Sequence, residues 1–256
     1  MTEQQDWQQV ASWLGEADGA VAFTGAGIST ESGIPDFRSP GGIWSKSQPV
    51  MYDDFLASPE ARHEYWRQKC AAHADFAAAE PNAGHLALAA WEKRGLLRGV
   101  ITQNIDGLHE AAGSRHVLEL HGTARHIACL GCGWRQEAGP LVAEFLDTEV
   151  VPECPECGGL LKHATISFGQ ALDPEALEQA VQWTRRCELF LAIGSSLVVE
   201  PAASLPRLAR SSGARLVIVN RDATGQDATA DLVIRASIGR TLGGIDQLIA
   251  PGPARE

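Results

Sequence analysis

The sequence predicts an α/β fold built on a doubly wound parallel sheet, and three observations carry that expectation. Short runs that are apolar throughout, such as Ala20 to Phe23, Leu189 to Ile193 and Leu216 to Val219, are separated by segments of helical periodicity. Strands that are apolar on both sides, rather than alternating, belong to a parallel sheet covered on both faces. Four of the strands end in small or polar residues, at Gly25, Gln103-Asn104, Gly194-Ser195 and Asn220. Ligands bind such sheets at the carboxyl ends of the strands, so these four clusters are expected to meet at one cleft.

In chain order, Trp7, Val10, Trp13 and Leu14 recur at helical spacing and predict an amphipathic helix. The strand Ala20 to Phe23 then delivers Thr24-Gly25-Ala26-Gly27. Residues 40–80 lack strand signals and read as a loop followed by helical pieces. Pro81 begins a helix with Leu86, Leu88, Ala89, Ala90 and Trp91 inside and Gly95 as its C-cap. Strands are expected at Gly99-Val100-Ile101, running into Thr102-Gln103-Asn104-Ile105-Asp106, and at Val117 to Leu120, ending at His121-Gly122. Pro174 to Cys187 and Leu205 to Ser212 read as helices. Leu232-Val233-Ile234 is the last expected strand, and the tail from Pro251 to Glu256 reads as disordered.

The chain has 256 residues, enough for one large domain or a domain with an insertion, and long enough to bury a core without staples. A formal net charge of -11 argues against a surface that neutralises nucleic-acid phosphates. The charge suits a basic partner such as a lysine-bearing protein segment, and solubility alone explains it equally well. No apolar run approaches the roughly 20 residues that cross a bilayer, and Met1 to Gln9 lacks the pattern of a secretory signal. The expected compartment is the cytoplasm, where the six cysteines stay reduced.

Cys129-x-x-Cys132-Gly133 and Cys154-x-x-Cys157-Gly158 form two knuckles. A two-residue gap lets both thiolates of a pair face one ion, and the trailing glycine permits the tight turn. Two such knuckles complete a tetrahedral four-thiolate zinc site, which is closed to water and substrate and therefore structural. The alternative is a set of reduced core cysteines or a redox pair. Lone Cys70 and Cys187 read as buried small hydrophobes.

Gly25-Ala26-Gly27 by itself is as compatible with a tight turn as with a phosphate loop, because Thr30 stands where the dinucleotide fingerprint has its third glycine. Backbone amides around these glycines could approach a pyrophosphate. The loop goes on to present Asp36, Phe37 and Arg38, an unusual trio for plain surface. Gln103, Asn104 and Asp106 suit sugar hydroxyls or a carboxamide, or else Asn104 or Asp106 caps a helix. His121 could be a general base or a satisfied structural histidine.

Taken in series, these stretches resemble the sirtuins, the NAD-dependent protein lysine deacylases. The resemblance covers Gly25 to Arg38, Thr102 to His109, His121-Gly122, both cysteine pairs, Phe168-Gly169, Gly194 to Leu197, Pro201-Ala202 and Asn220, across roughly residues 20 to 240. It implies a Rossmann-like domain (1–39, 82–125 and 164–256). A smaller lobe would combine a helical insertion (40–81) with a zinc ribbon (126–163), and NAD and the acyl-lysine peptide would lie between the two. Gly25, Ala26, Gly27, Thr30, Phe37, Arg38, Gln103, Ile105, Gly194, Ser195, Ser196 and Asn220 would contact NAD. Asn104 and Asp106 would line the nicotinamide and ribose pocket, and His121 would be the general base. Ile166, Phe168, Gly169 and Val199 would face the acyl-lysine substrate. The implied reaction has the acyl oxygen displace nicotinamide, after which His121 activates a ribose hydroxyl and hydrolysis gives lysine and O-acyl-ADP-ribose. Protein mono-ADP-ribosyl transfer at the same site is the alternative activity. A non-catalytic NAD-sensing module and an NAD dehydrogenase are the remaining rivals.

The chain departs from the commoner pattern at His163, Ser167, Gln170 and Glu200, which puts acyl and peptide preference in doubt. Family members that remove acidic acyl groups carry a Tyr-x-x-Arg pair in the helical insertion. Neither Tyr65 with Arg67 nor Arg62 with Tyr65 has that spacing and order, so acidic acyl groups are not the expected substrates. Tyr65-Trp66 is expected to pack the small lobe.

Overall fold

The computed structural model describes residues 2–36, 42 and 48–249. Among these, six parallel strands form the main sheet: β1 (Ala20–Thr24), β2 (Leu97–Thr102), β3 (Val117–Glu119), β7 (Leu189–Ile193), β8 (Arg215–Val219) and β9 (Leu232–Ile234). Their spatial order is β3-β2-β1-β7-β8-β9. Chain order reverses between β1 and β7, the switch point at which a doubly wound sheet opens a crevice.

Residues of β1 alternate between two cores, as a pleated strand requires. Ala20 and Ala22 join the apolar cluster formed with α1 (Glu3–Glu16), α4 (Ala83–Lys93) and α9 (Ile238–Leu248). Val21 and Phe23 join the opposite cluster with α7 (Pro174–Arg186) and α8 (Leu205–Ser211). Both faces are covered, which is why these strands carry no polar alternation.

Helix α4 starts later than Pro81 suggests. Asn82 is its cap, accepting from the Gly84 amide at 2.9 Å while His85 Nδ1 accepts from the Asn82 amide at 3.3 Å. An intact capping pair outweighs the proline preference at the first turn. Leu88, Ala89 and Trp91 are buried as expected, but Leu86 is 53% exposed and Ala87 faces the core in its place. Gly95 lies one residue past the C-cap with φ +70°, and the Leu96 amide closes the helix end on the Trp91 carbonyl.

A second, three-stranded antiparallel sheet, ordered β5-β4-β6, comprises β4 (Gly122–Cys129), β5 (Arg135–Glu137) and β6 (Leu161–Thr165). It packs with α2 (Tyr52–Ala57), α3 (Pro59–Ala78) and α6 (Ala138–Thr148) around a separate core holding Phe55, Tyr65, Trp66, Ile127, Val142, Phe145 and Leu161. Tyr65 and Trp66 are both buried there, and the Trp66 indole N–H donates to the Leu161 carbonyl at 3.0 Å. Cys70 and Cys187 are buried and unpaired. Neither α6 nor α9 was anticipated from periodicity, and the strands of the small sheet are too short or too polar to announce themselves. The short α5 (Leu108–Ala111) follows β2 through Gly107.

Candidate active site and metal centre

A cavity of about 1000 Å³ opens where β1 and β7 end. Gly25, Ala26, Gly27, Thr30, Gln103, Asn104, Ile105, His121, Gly194, Ser195, Ser196 and Asn220 all line it, as do Ile166, Phe168, Gly169 and Val199. The four strand-end clusters therefore do converge. Phe37 and Arg38 lie outside the described residues.

The glycines at this crossing serve the approach of two backbones. A Cβ on Gly25 would meet the Gly194 carbonyl oxygen at 2.8 Å, and one on Gly27 would meet Gly194 Cα at 2.7 Å. Gly194 itself has φ +63°. The Gly25 and Gly27 amides are committed to the carbonyls of Ile193 and Gly194, at 3.0 and 2.8 Å. Those two N–H groups are thus spent on joining the loops, and they do not face a ligand. The segment Ala26–Ser32 is a 3-10 helix, tighter than the α-helix that follows a dinucleotide glycine loop.

Behind the cavity wall lies a polar network that the sequence did not announce. Ser29 Oγ donates to Asp106 Oδ2 at 2.7 Å and accepts from Asn104 Nδ2 at 3.1 Å. Asp106 Oδ1 accepts from the amide of Leu108, the first residue of α5, at 3.0 Å, although the cap position itself is Gly107. Asp106 is 4% exposed and does not line the cavity; it reaches the ligand side only through Ser29 and Asn104. Thr24 Oγ1 contacts Thr102 Oγ1 at 2.8 Å and His109 Nε2 at 2.9 Å. Ser29, Thr24, Thr102, His85 and His109 are all buried. Nothing in periodicity distinguishes a hydroxyl that holds a site residue from one that satisfies a loop.

His121 stands at the junction of the two sheets. Its Nδ1 lies 2.9 Å from the Gln103 carbonyl oxygen, an acceptor only, so Nδ1 carries the proton and Nε2 is the basic nitrogen. The neighbouring Gly122 has φ +68°, and a Cβ there would lie 2.1 Å from the Ala164 carbonyl oxygen. The Ile166 amide donates to the His121 carbonyl at 2.8 Å, which ties β6 to the histidine. Gln103 Nε2 donates to Ser195 Oγ at 2.8 Å, linking the ends of β2 and β7 across the same cavity.

The four knuckle cysteines also converge, their Sγ atoms all within 4.8 Å of one another. Cys129 and Cys157 are 3.5 Å apart, and Cys132 and Cys154 are 3.6 Å apart. Four thiolates at the usual Zn–S length of about 2.3 Å on a tetrahedron are separated by about 3.8 Å, so the cage fits zinc. Disulfides would need contacts of about 2.05 Å. The Gly131 amide donates to Cys129 Sγ at 3.3 Å, and the amide of Cys132 followed by that of Gly131 pulls the Cys129 thiol down to about 6.

The model of the Sir2 family matches residues 25–201, well over half of the chain. The chain belongs to the Sir2 family, that of the sirtuins. It is 50% identical over 238 residues to an NAD-dependent protein deacetylase of Rhodopseudomonas palustris, covering 92% of this chain and 94% of that protein. A protein of Bradyrhizobium diazoefficiens named NAD-dependent protein deacetylase 1 is 51% identical, covering 92% and 93%. Among solved structures, a Sir2 protein with a deacetylated p53 peptide and 3'-O-acetyl ADP-ribose superposes with a TM-score of 0.86 at 36% identity, covering 94% of this chain and 97% of that one. Membership of the Sir2 family makes the cavity between the sheets the candidate active centre of this chain, with the cysteine cage set apart from it.

The departures from the family pattern have defined contacts: the His163 ring packs on Tyr65 and Trp66. Glu200 is turned onto α8, where it pairs with Arg207 at 2.7 Å and accepts from Ser204 at 2.5 Å. Gln170 Oε1 accepts from Lys162 Nζ at 3.3 Å and from the Ser167 amide at 3.1 Å.

Proposed function

We propose that the protein is an NAD-dependent protein lysine deacylase that removes acetyl groups from lysine side chains. Acyl-lysine, NAD and water would give lysine, nicotinamide and O-acyl-ADP-ribose. The observation that carries this reading is His121, an imidazole whose Nδ1–H is fixed on a carbonyl so that Nε2 is the basic nitrogen, set in the wall of a cavity built at the sheet's switch point. NAD, when bound, supplies the electrophilic ribose carbon and the leaving nicotinamide.

The chain's own groups have separable tasks. His121 takes a proton from a ribose hydroxyl at Nε2. Asn104, held by Ser29, orients the nicotinamide end, with Ile105 beside it and Asp106 fixing Ser29 from behind. Gln103, Ser195, Ser196, Thr30 and Asn220 offer hydroxyl and amide groups to the phosphates and the distal ribose. Ile166, Phe168, Gly169 and Val199 form the side that takes the acyl-lysine. We assign residues 1–39, 82–125 and 164–256 to the cofactor domain and 40–81 with 126–163 to the small lobe, a division supported by the separation of their apolar clusters. The cysteine cage holds one structural zinc ion.

Four thiolates that must stay reduced favour the cytoplasm, and no helix among the described residues is long and apolar enough to cross a membrane. The net charge of -11 disfavours nucleic acid as a direct partner.

Incubation with an acetyl-lysine peptide and NAD, with products weighed by mass spectrometry, tests the reading. Free nicotinamide and O-acetyl-ADP-ribose in equal amounts are expected. ADP-ribose retained on protein, with the peptide still acetylated, would sink the deacylase reading in favour of ADP-ribosyl transfer.

A further inference from the structure

Strand β6 runs out into residues 165–170, which form one wall of the cavity. A buried side chain behind that wall gathers it. Lys162 is 2% exposed, a rare condition for a lysine without a carboxylate partner, and it does not line the cavity itself. Its ammonium bonds three neutral acceptors: the His163 carbonyl at 3.3 Å, the Thr165 carbonyl, and Gln170 Oε1 at 3.3 Å. An ammonium has three N–H donors, and all of them are engaged. Thr165 and Gln170 stand at the two ends of the wall, so one group closes it across its base.

The rest of the wall is tied down by its own backbone. The Ile166 amide donates to the His121 carbonyl at 2.8 Å, and the Tyr52 amide donates to the Phe168 carbonyl at 2.8 Å. The Gln170 amide donates to the Ser167 carbonyl at 3.0 Å, while Gln170 Oε1 accepts from the Ser167 amide at 3.1 Å. Gln170 Oε1 therefore serves the turn and Lys162 together.

No carboxylate balances the charge. Among the described residues, Lys162 has no ion-pair partner. Residues 37–47 contain no acid, and Glu200 on the cavity lining is bound to Arg207 and Ser204. The titratable groups around it are Tyr65, Lys69, Cys70 and His73 on α3 and His163 on its own strand, while β4 sets Ala128 opposite it. Burial and then the charge of Lys69 hold the Lys162 ammonium down to about 7.

We propose that Lys162 is a positioning residue for the acyl-lysine peptide: its ammonium draws the Thr165 carbonyl and Gln170 together and holds the wall between them in the shape the peptide requires. This rests on the deacylase reading, which puts the acyl-lysine against Ile166, Phe168 and Gly169. Because Gln170 is neutral, the clamp depends on the proton that Lys162 carries. Once that proton is lost, the amine has two donors for three acceptors and no charge to strengthen them. Peptide affinity therefore falls as pH rises through the neutral range, and the cofactor end, which Lys162 does not touch, is unaffected.

The test uses the full zinc-loaded chain, NAD and an acetyl-lysine peptide with uncharged flanks. Nicotinamide release gives kcat and the peptide KM, and calorimetry with ADP-ribose reads the cofactor end by itself. From about pH 6 to about pH 9 the peptide KM is expected to rise about tenfold, the scale of one charge-assisted hydrogen bond, with ADP-ribose affinity flat. Lys162→Met is expected to show the high KM at every pH. Gln170→Glu sets a carboxylate against the ammonium, which keeps its proton, so the low KM is expected to persist to the alkaline end. The inference is overturned if Gln170→Glu leaves the pH profile of KM as in the wild type, or if Lys162→Met has the wild-type KM. It is also overturned if Lys162→Met keeps its melting temperature yet weakens ADP-ribose as much as peptide. Should Lys162→Met not fold, the Gln170→Glu profile decides alone. No nicotinamide release by the wild type would overturn the deacylase reading itself.

Discussion

His121 owes its tautomer to the Gln103 carbonyl, which accepts a hydrogen bond from its Nδ1–H. His121→Ala is expected to lower kcat for nicotinamide-coupled deacylation by about 10²–10⁴-fold, with zinc content and melting temperature unchanged. A variant that kept more than a tenth of wild-type turnover would remove the histidine from the mechanism. Ser29 works differently, since its hydroxyl bonds two other site residues, bridging Asp106 to Asn104. Ser29→Ala leaves a buried carboxylate oxygen and an amide short of partners, which costs about 1–3 kcal/mol of stability. Urea unfolding measures this, and an unchanged midpoint would show that water replaces the hydroxyl. Cys129, Cys132, Cys154 and Cys157 and the base candidate His121 were legible in the sequence, because spacing and chemistry mark them. Ser29 was not, because a serine in a glycine loop satisfies the local backbone far more often than it bridges two strands.

At the level of elements, the junction of β4 and β6 sets the position of His121. Gly122→Ala would place a Cβ 2.1 Å from the Ala164 carbonyl oxygen on a backbone at φ +68°. It is expected to destabilise by more than about 1 kcal/mol and to reduce turnover, read together by thermal melts and nicotinamide release. A variant with wild-type values of both would mean that β6 can move away freely. The same sheet brings an acid sensitivity. His163 is held near 3 by burial and then by the charges of Lys69, His73 and Lys162, against an ordinary 6.5. His109 is held near 3 by burial and then by His85. Both are neutral in the folded chain, whereas the unfolded chain binds their protons below about pH 6.5. Stability from them is complete above pH 6.5 and is lost as pH falls from there toward 3, by at most about 1.4 kcal/mol per unit for each. Urea midpoints should therefore drop steeply between pH 6.5 and 5, and less steeply in His163→Asn. The elements themselves followed the sequence closely where strands are apolar on both faces, as at β7 and β8. They were missed at β4, β5 and β6, whose short or half-polar runs resemble loop.

For the whole molecule, the cysteine cage is the joint of the small lobe. Cys129 and Cys154 belong to the same apolar cluster as Trp66, Phe145 and Leu161, so the metal and this core stand or fall together. Zinc in comparable knuckles contributes about 10–16 kcal/mol of apparent folding energy. Cys129→Ser or chelation is expected to release one zinc ion and abolish turnover, while the helical far-UV signal of the six-stranded domain persists. Full activity after zinc loss would break the link between the cage and the cleft.

The sequence by itself determined the parallel sheet, the cleft at its strand ends, the four thiolates and the family, because each is a local pattern: periodicity, strand-end chemistry, or ligand spacing. Only the tertiary structure decided that Gly25, Gly27 and Gly194 serve one another's backbone approach, that Asp106 acts from behind through Ser29, and that Leu86 faces water. It also decided that Lys69 and Lys162, 93 positions apart by their numbers, each lie 5.6 Å from the centroid of the Tyr65 ring, with no ion-pair partner for either among the described residues. Uncompensated charge is a property of a neighbourhood in space, and a linear pattern carries no record of which carboxylates are missing from it.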